Sequence, residues 1–135
     1  MRSIIVLCTI LMFAILYWNK GDEYNYVEDG LASYYADFFE GRLTADGSIF
    51  SQDSLTAAHK KLPFGTKVFV SNITNGKSLT VTINDRGPFI KNRIIDLSRR
   101  AADSLDMLEV GVVDIIIKAF IADAKVLEKL TDERK

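Results

Sequence analysis

Two side chains have the type and setting for proton chemistry. Asp85 opens Asp85-Arg86-Gly87-Pro88, where an apolar strand runs into a turn shaped by glycine and proline. A carboxyl at the inner edge of a barrel is partly desolvated, so its pKa rises and it can hold a proton near neutral pH, as a general acid in glycoside cleavage must. The competing assignment is a turn-capping carboxylate paired with Arg86. His59 is the sole histidine. An imidazole titrates near neutrality, yet a lone histidine is more often a hydrogen-bonded structural residue than a catalyst, and only a closed barrel brings this one beside Asp85. Arg42, Arg86 and Arg93 are candidates for lining a polar groove, and Tyr34, Tyr35, Phe38, Phe39 and Phe89 for stacking on sugar faces. Taken singly, each has a plainer role, because arginines solvate surfaces and aromatics fill cores.

For these residues to meet, distant stretches of chain must come together, and after Gly30 the pattern is one of short apolar runs between turn residues. Residues 67–72 and 77–85 read as paired strands around Asn75-Gly76, a signal for a type I′ hairpin turn. Leu79, Val81 and Ile83 share one face of the second strand, and Thr80, Thr82 and Asn84 the other, an alternation that puts Asp85 on the apolar side. Further strands are expected at 31–36, at 55–58, around Ile94-Ile95-Asp96 and at 112–120, with Ser98 as N-cap of one helix over 99–108. This set predicts a small, closed, mainly β barrel, since closure removes the edges that short strands would otherwise expose. Residues 121–135 carry Val126, Leu127 and Leu130 at helical spacing and read as a short helix or a frayed tail.

The 135 residues leave room for one domain. A net charge of -1 offers no polycationic surface, which argues against nucleic acid as a partner. One cysteine, Cys8, and one histidine exclude an intramolecular disulfide, a cysteine zinc cluster and a multi-histidine metal site, so no cofactor or metal is expected. Cys8 sits in a run over 4–18 that is apolar apart from Thr9, lies behind Arg2 and ends in Tyr17 and Trp18. The run reads as an export or membrane segment that leaves the rest of the chain facing outward. Three fates are open: an uncleaved anchor, a cleaved signal, or a lipoprotein attached at Cys8. The missing small-x-small pattern before Asn19 favours the anchor, and the residues ahead of Cys8 disfavour the lipoprotein. The expected boundaries are a signal or anchor over 1–20, a polar linker over 21–29, the barrel over 30–120 and the tail over 121–135. The expected location is the cell envelope, anchored in the inner membrane or exported to the periplasm.

Six blocks, in order and in spacing, resemble the RlpA (rare lipoprotein A) family: Gly30-Leu31-Ala32-Ser33-Tyr34-Tyr35, Gly41-Arg42-Leu43-Thr44-Ala45-Asp46-Gly47, Leu55-Thr56-Ala57-Ala58-His59, Leu62-Pro63-Phe64-Gly65-Thr66, Asn84-Asp85-Arg86-Gly87-Pro88-Phe89 and Arg93-Ile94-Ile95-Asp96-Leu97-Ser98. The resemblance implies a six-stranded double-psi β-barrel with one or two short helices, a fold shared with expansins and barwin-like proteins. It implies peptidoglycan glycan strands as substrate, in relatives those lacking stem peptides, and lytic transglycosylase activity. It places Asp85 and His59 on two of the family's active-site positions. The third is a glutamate following Thr-Ala-x-Gly in relatives; here it is Ser48, with Asp46 and Glu40 close in sequence.

Hydrolysis by the usual route needs two carboxyls flanking the bond. Lytic transglycosylation asks for less, because the sugar's own C6 hydroxyl attacks and leaves a 1,6-anhydromuramyl end. One carboxyl can then protonate the leaving oxygen and afterwards accept the hydroxyl proton. On the family resemblance, Asp85 is expected to be that acid and base, His59 to orient or stabilise, and Ser48 to donate at best a hydrogen bond to substrate. Arg42, Arg86 and Tyr34 are expected as further substrate contacts. The alternatives are a non-catalytic, expansin-like peptidoglycan-binding module and a structural envelope or division protein, between which fold does not choose.

Overall fold

The structure is a computed structural model and describes residues 4–6 and 23–134. Cys8, Tyr17, Trp18 and most of the apolar run lie outside the described residues, and with them the anchor, signal and lipoprotein alternatives. Among the described residues no helix is long and apolar enough to cross a membrane.

Six strands, β1 (Tyr26–Tyr34), β2 (Thr56–His59), β3 (Lys67–Asn72), β4 (Ser78–Asp85), β5 (Arg93–Leu97) and β6 (Val113–Ala119), close a barrel in the order β1-β5-β2-β4-β3-β6. The pairs β1/β5 and β2/β4 are parallel and the other four antiparallel. Alternation drives the closure. Val68 and Val70, Val81 and Ile83, Ile95 and Leu97, and Ile115 and Ile117 are each buried two residues apart, all facing one interior. Burying such a side chain contributes about 1.5–3 kcal/mol, so the ring of inward residues holds the sheet shut. Two helices follow the later strands, α1 (Arg99–Ser104) and α2 (Ala124–Asp132). The Ser98 side chain caps α1 by accepting the N–H of Ala101, and the Asp123 carboxylate caps α2. Leu130 is buried, with Val126 and Leu127 packed against the same core.

Four features depart from the sequence expectations. β1 begins at Tyr26, inside the stretch expected as linker, because β6 supplies a partner: Tyr26 pairs with Ala119 and the ladder runs on past Asp29 opposite Ile116. The β3–β4 connection is wider than a type I′ turn. Gly76 has the positive φ of +73° that such turns require, but Asn75 is not among the positive-φ residues, and the Gly76 N–H donates back to the Asn72 carbonyl at 2.9 Å. Its asparagines serve the first helix instead, since Nδ2 of Asn72 and of Asn75 donate to the Leu105 carbonyl at 3.1 and 2.9 Å. That helix stops at Ser104, short of the expected 108, and Asp106 turns left-handed at φ +53°.

The fourth departure sets up the site. Along the parallel pair, Thr56 faces Thr82 and Ala57 faces Ile83, but Ala58 then faces Asp85. Asn84 is the extra residue of a bulge, and a slip by one residue sends the next side chain to the opposite face. Asp85 therefore leaves the apolar side expected for it and stands on the outside of the barrel.

Candidate active site

The registers align four residues in one row across the outer face. Ser33 on β1 lies opposite Asp96 on β5, Asp96 opposite Ala58 on β2, and Ala58 opposite Asp85 on β4. Adjacent strands are about 4.8 Å apart, so the two aspartates stand roughly 10 Å apart at Cα with only the Ala58 methyl between them. A larger residue at 58 would fill the space that the two carboxyls share.

Asp85 is encircled by donors. The Tyr35 hydroxyl donates to Oδ2 at 2.6 Å, and the backbone N–H groups of Ala45 and Arg86 donate to Oδ1 at 2.8 and 2.9 Å. Tyr35 is itself fixed, stacked on Phe50 at 4.2 Å between ring centres. Burial, and then the bond to Asp85, push its phenol pKa up, so it stays a donor. Gly87, two residues on, has φ +128°, a backbone that side chains other than hydrogen rarely adopt.

Asp96 has the opposite surroundings. Burial raises its pKa above the ordinary carboxyl range, and the charge of Asp85 adds to the rise; the Ser33 hydroxyl, which donates to Oδ1, and the Arg93 charge oppose it without prevailing. The row thus holds one carboxylate aimed at by three donors and one carboxyl biased toward keeping its proton. Such an arrangement can supply an acid from the buried carboxyl and an acceptor from its neighbour. Asp96 lies in the family block Arg93-Ile94-Ile95-Asp96-Leu97-Ser98 but is not among the site residues to which the sequence points. Its signal was faint: a carboxylate inside Ile94-Ile95-Asp96-Leu97, where β alternation turns it away from Ile95 and Leu97.

The other expected site residues are dispersed. Tyr34 faces the core, with its hydroxyl donating to the Leu108 carbonyl at 2.7 Å, and Tyr35 occupies the groove position instead. Arg42 lies 3.7 Å from the Phe38 ring centre and belongs to an aromatic wall: Phe38 meets Phe39 edge-on, and Phe39 meets Tyr35. Phe38 is 66 % exposed, and beyond the Asp85 turn Phe89 is 82 % exposed. Ser48 donates to Asp46 Oδ1 at 2.5 Å and shares a 2.9 Å bond with Thr44, in the loop whose Ala45 N–H reaches Asp85. These hydroxyl donors hold the Asp46 carboxyl below the usual range. Glu40 turns away to accept the Gln52 N–H at 2.7 Å.

His59 does not meet Asp85. It lies opposite the core residue Ile95, on the inner face, and is 3 % exposed. Its Nδ1 accepts the N–H groups of Lys61 and Leu62, both at 3.0 Å, and its Nε2 bonds Glu28 at 3.0 Å. Arg86, expected to contact substrate, is spent on the same turn. Its Nη1 donates to the carbonyls of His59 and Leu62 at 3.3 and 2.9 Å, and its guanidinium covers the Phe64 ring at 3.9 Å.

The fold has counterparts among known proteins, and so has the sequence. A Treponema pallidum protein named probable endolytic peptidoglycan transglycosylase RlpA is 48 % identical over 108 residues, which is 80 % of this chain and 34 % of that protein. A Campylobacter jejuni endolytic peptidoglycan transglycosylase RlpA is 48 % identical over 87 residues, 64 % of this chain and 32 % of the relative. The chain thus spans about a third of the length of the curated relatives it matches. Among solved structures, the Streptomyces papain inhibitor superposes with a TM-score of 0.59 at 26 % identity, over 73 % of this chain and 98 % of the inhibitor. Residues 27–117, from β1 to β6 and including the whole aspartate row, match the family described as lytic transglycolase. The chain belongs to that lytic transglycolase family, the RlpA-like double-psi β-barrels.

Proposed function

We propose that this barrel cleaves the glycan strands of peptidoglycan by lytic transglycosylation. The observation that carries the proposal is the pair of Asp85 and Asp96 on one outer row, separated by Ala58, the first ringed by three hydrogen-bond donors and the second largely buried with its pKa raised. The names of the relatives support peptidoglycan as the polymer. In the proposed step, Asp96 gives its proton to the glycosidic oxygen as the C1–O bond breaks. The C6 hydroxyl oxygen closes on C1, and its proton passes to Asp85, so no water is consumed and the product carries a 1,6-anhydro end. Positive charge at C1 in the transition state is stabilised by the Asp85 carboxylate. Solvent exchange then returns the proton to Asp96. Ser48, tied to Asp46, is outside this exchange, which therefore does not require the glutamate that relatives carry at that position.

The exposed rings near Asp85, Phe38 and Phe39 beside Tyr35 and Phe89 beyond the Gly87-Pro88 turn, suit stacking on the sugars of a glycan polymer. Such a substrate lies outside the cytoplasmic membrane, so the proposal includes export behind the apolar run over 4–18, with the barrel kept at the membrane or released into the periplasm. Incubation with purified strands, with and without stem peptides, followed by mass spectrometry tests the reading. Anhydro ends support it. Reducing ends make the protein a hydrolase, and uncut strands that retain the protein make it a binding module.

A further inference from the structure

We infer that Glu28 is a positioning residue for Asp85, acting through His59 and Arg86. The inference rests on the reading of Asp85 as a reacting group. Glu28 lies on the inner face of β1, where its Oε2 accepts the Tyr26 hydroxyl at 2.5 Å and bonds the His59 Nε2 at 3.0 Å. The other imidazole nitrogen, Nδ1, accepts two backbone N–H groups and so carries no proton. The ring proton must then sit on Nε2, donated to Glu28, and Glu28 selects this tautomer. Burial alone would raise the Glu28 pKa, but the donors His59 and Tyr26 outweigh it and hold the carboxyl below its ordinary range.

The selected tautomer folds the chain from 59 to 62 around Nδ1. That turn presents the carbonyls of His59 and Leu62 together to one nitrogen of Arg86. Arg86 is in turn the residue whose backbone N–H donates to Asp85 Oδ1. An unbroken series of contacts, none longer than 3.3 Å, therefore runs from a carboxylate inside the barrel to the carboxylate outside it. Without an acceptor at 28, the imidazole is free to place its proton on Nδ1, where it would oppose two N–H groups. The turn would have to open, and Arg86 with it.

The test compares Glu28→Ala, Glu28→Gln, Arg86→Ala and the double variant Glu28→Ala/Arg86→Ala in the full chain, by rate of anhydro-end formation and by NMR. Glu28→Ala should lower kcat by between about tenfold and about a hundredfold, the cost of a slightly displaced reacting group, with KM little changed. Glu28→Gln keeps an acceptor oxygen and should recover most of the rate. In the Arg86→Ala background the Glu28→Ala change should add nothing. Independent effects that multiply, or a fall in Tm with kcat untouched, would overturn the inference. The ring nitrogens of His59 and the amide of Arg86 report without catalysis: both should shift in Glu28→Ala and stay in place in Glu28→Gln. An Arg86 amide that does not move in Glu28→Ala overturns the inference even if the wild type cuts no glycan, whereas a shifted amide with no product sinks only the functional reading. Should Glu28→Ala fail to fold, Tyr26→Phe removes one donor from Glu28 without opening a cavity. It should give a smaller kcat loss that disappears in the Arg86→Ala background, and a loss that persists there counts against the inference.

Discussion

Two carboxyl groups on opposite faces of the barrel wall, Glu28 within and Asp96 without, are both largely withdrawn from water and yet titrate in opposite directions. Glu28 has a donor on each side, His59 and Tyr26, and remains an anion despite its burial. Burial raises the pKa of Asp96 and the like charge of Asp85 adds to the rise, while the Ser33 hydroxyl and the Arg93 charge oppose it without prevailing. Depth alone therefore does not set the direction in which a carboxyl's pKa moves. What distinguishes the two is whether the surroundings supply enough donors to the charged form to outweigh burial. The inner system spends its hydrogen bonds on holding a turn, and the outer one leaves a proton available.

The sharpest way to break this contrast is to remove the outer charges. Asp85→Asn should lower anhydro-end formation by about 10²–10⁴-fold, the range for a positioned acid–base group, with the barrel's circular dichroism unchanged. A wild-type rate would reduce Asp85 to a turn residue. The same variant should lower the pKa of Asp96, because the like charge is gone, and a carboxyl titration followed by NMR reads this directly.

Asp96→Asn should cost a comparable factor in rate but raise stability near neutral pH. A carboxyl whose folded-state pKa is raised contributes stability that is fully present below its unfolded pKa and lost as pH rises through the folded one. Wild type therefore carries a cost at neutral pH that asparagine lacks, and the Tm advantage of the variant, a few degrees, should shrink in acid. Glu28→Gln should show the mirror image. Its depressed pKa gives stability above the unfolded value that is lost as pH falls through the folded one, so the variant's deficit is largest at neutral pH and fades in acid. Thermal melts of both variants across pH check the two slopes, and parallel slopes would remove the contrast.

Smaller effects probe the periphery of the row. Tyr35→Phe deletes one of the three donors to Asp85 and should cost about tenfold in kcat, in keeping with a bond to a charged group. Ser48→Glu would set a carboxylate against Asp46, already charged at that place, so anhydro-end yield should stay flat or fall rather than rise. Phe38→Ala should raise KM a few-fold with kcat unchanged, since stacking on an exposed ring contributes on the order of 1 kcal/mol. Strand-binding assays separate that outcome from a loss of fold.

Much of the frame was legible in local pattern. Val68/Val70, Val81/Ile83 and Ile115/Ile117 announce strands by their period of two, Ser98 announces a helix start, and the ordered motifs through Asn84-Asp85-Arg86-Gly87-Pro88-Phe89 announce the family and mark Asp85. These are properties of neighbours along the chain, so composition and spacing suffice to express them. The bulge at Asn84 is different in kind. It exists because β4 runs parallel to β2, and the register between two strands separated by β3 is set by how both fit the closed ring. That non-local fit turned Asp85 outward, sent His59 to the inner face with Glu28, and aligned Ser33, Asp96, Ala58 and Asp85 on one row. Sequence alone determined which residue types were present and the local elements that carry them. Which face each side chain occupies, and hence which carboxyls meet donors and which meet each other, was decided only when the barrel closed, because a shift of one residue reverses every side chain beyond it.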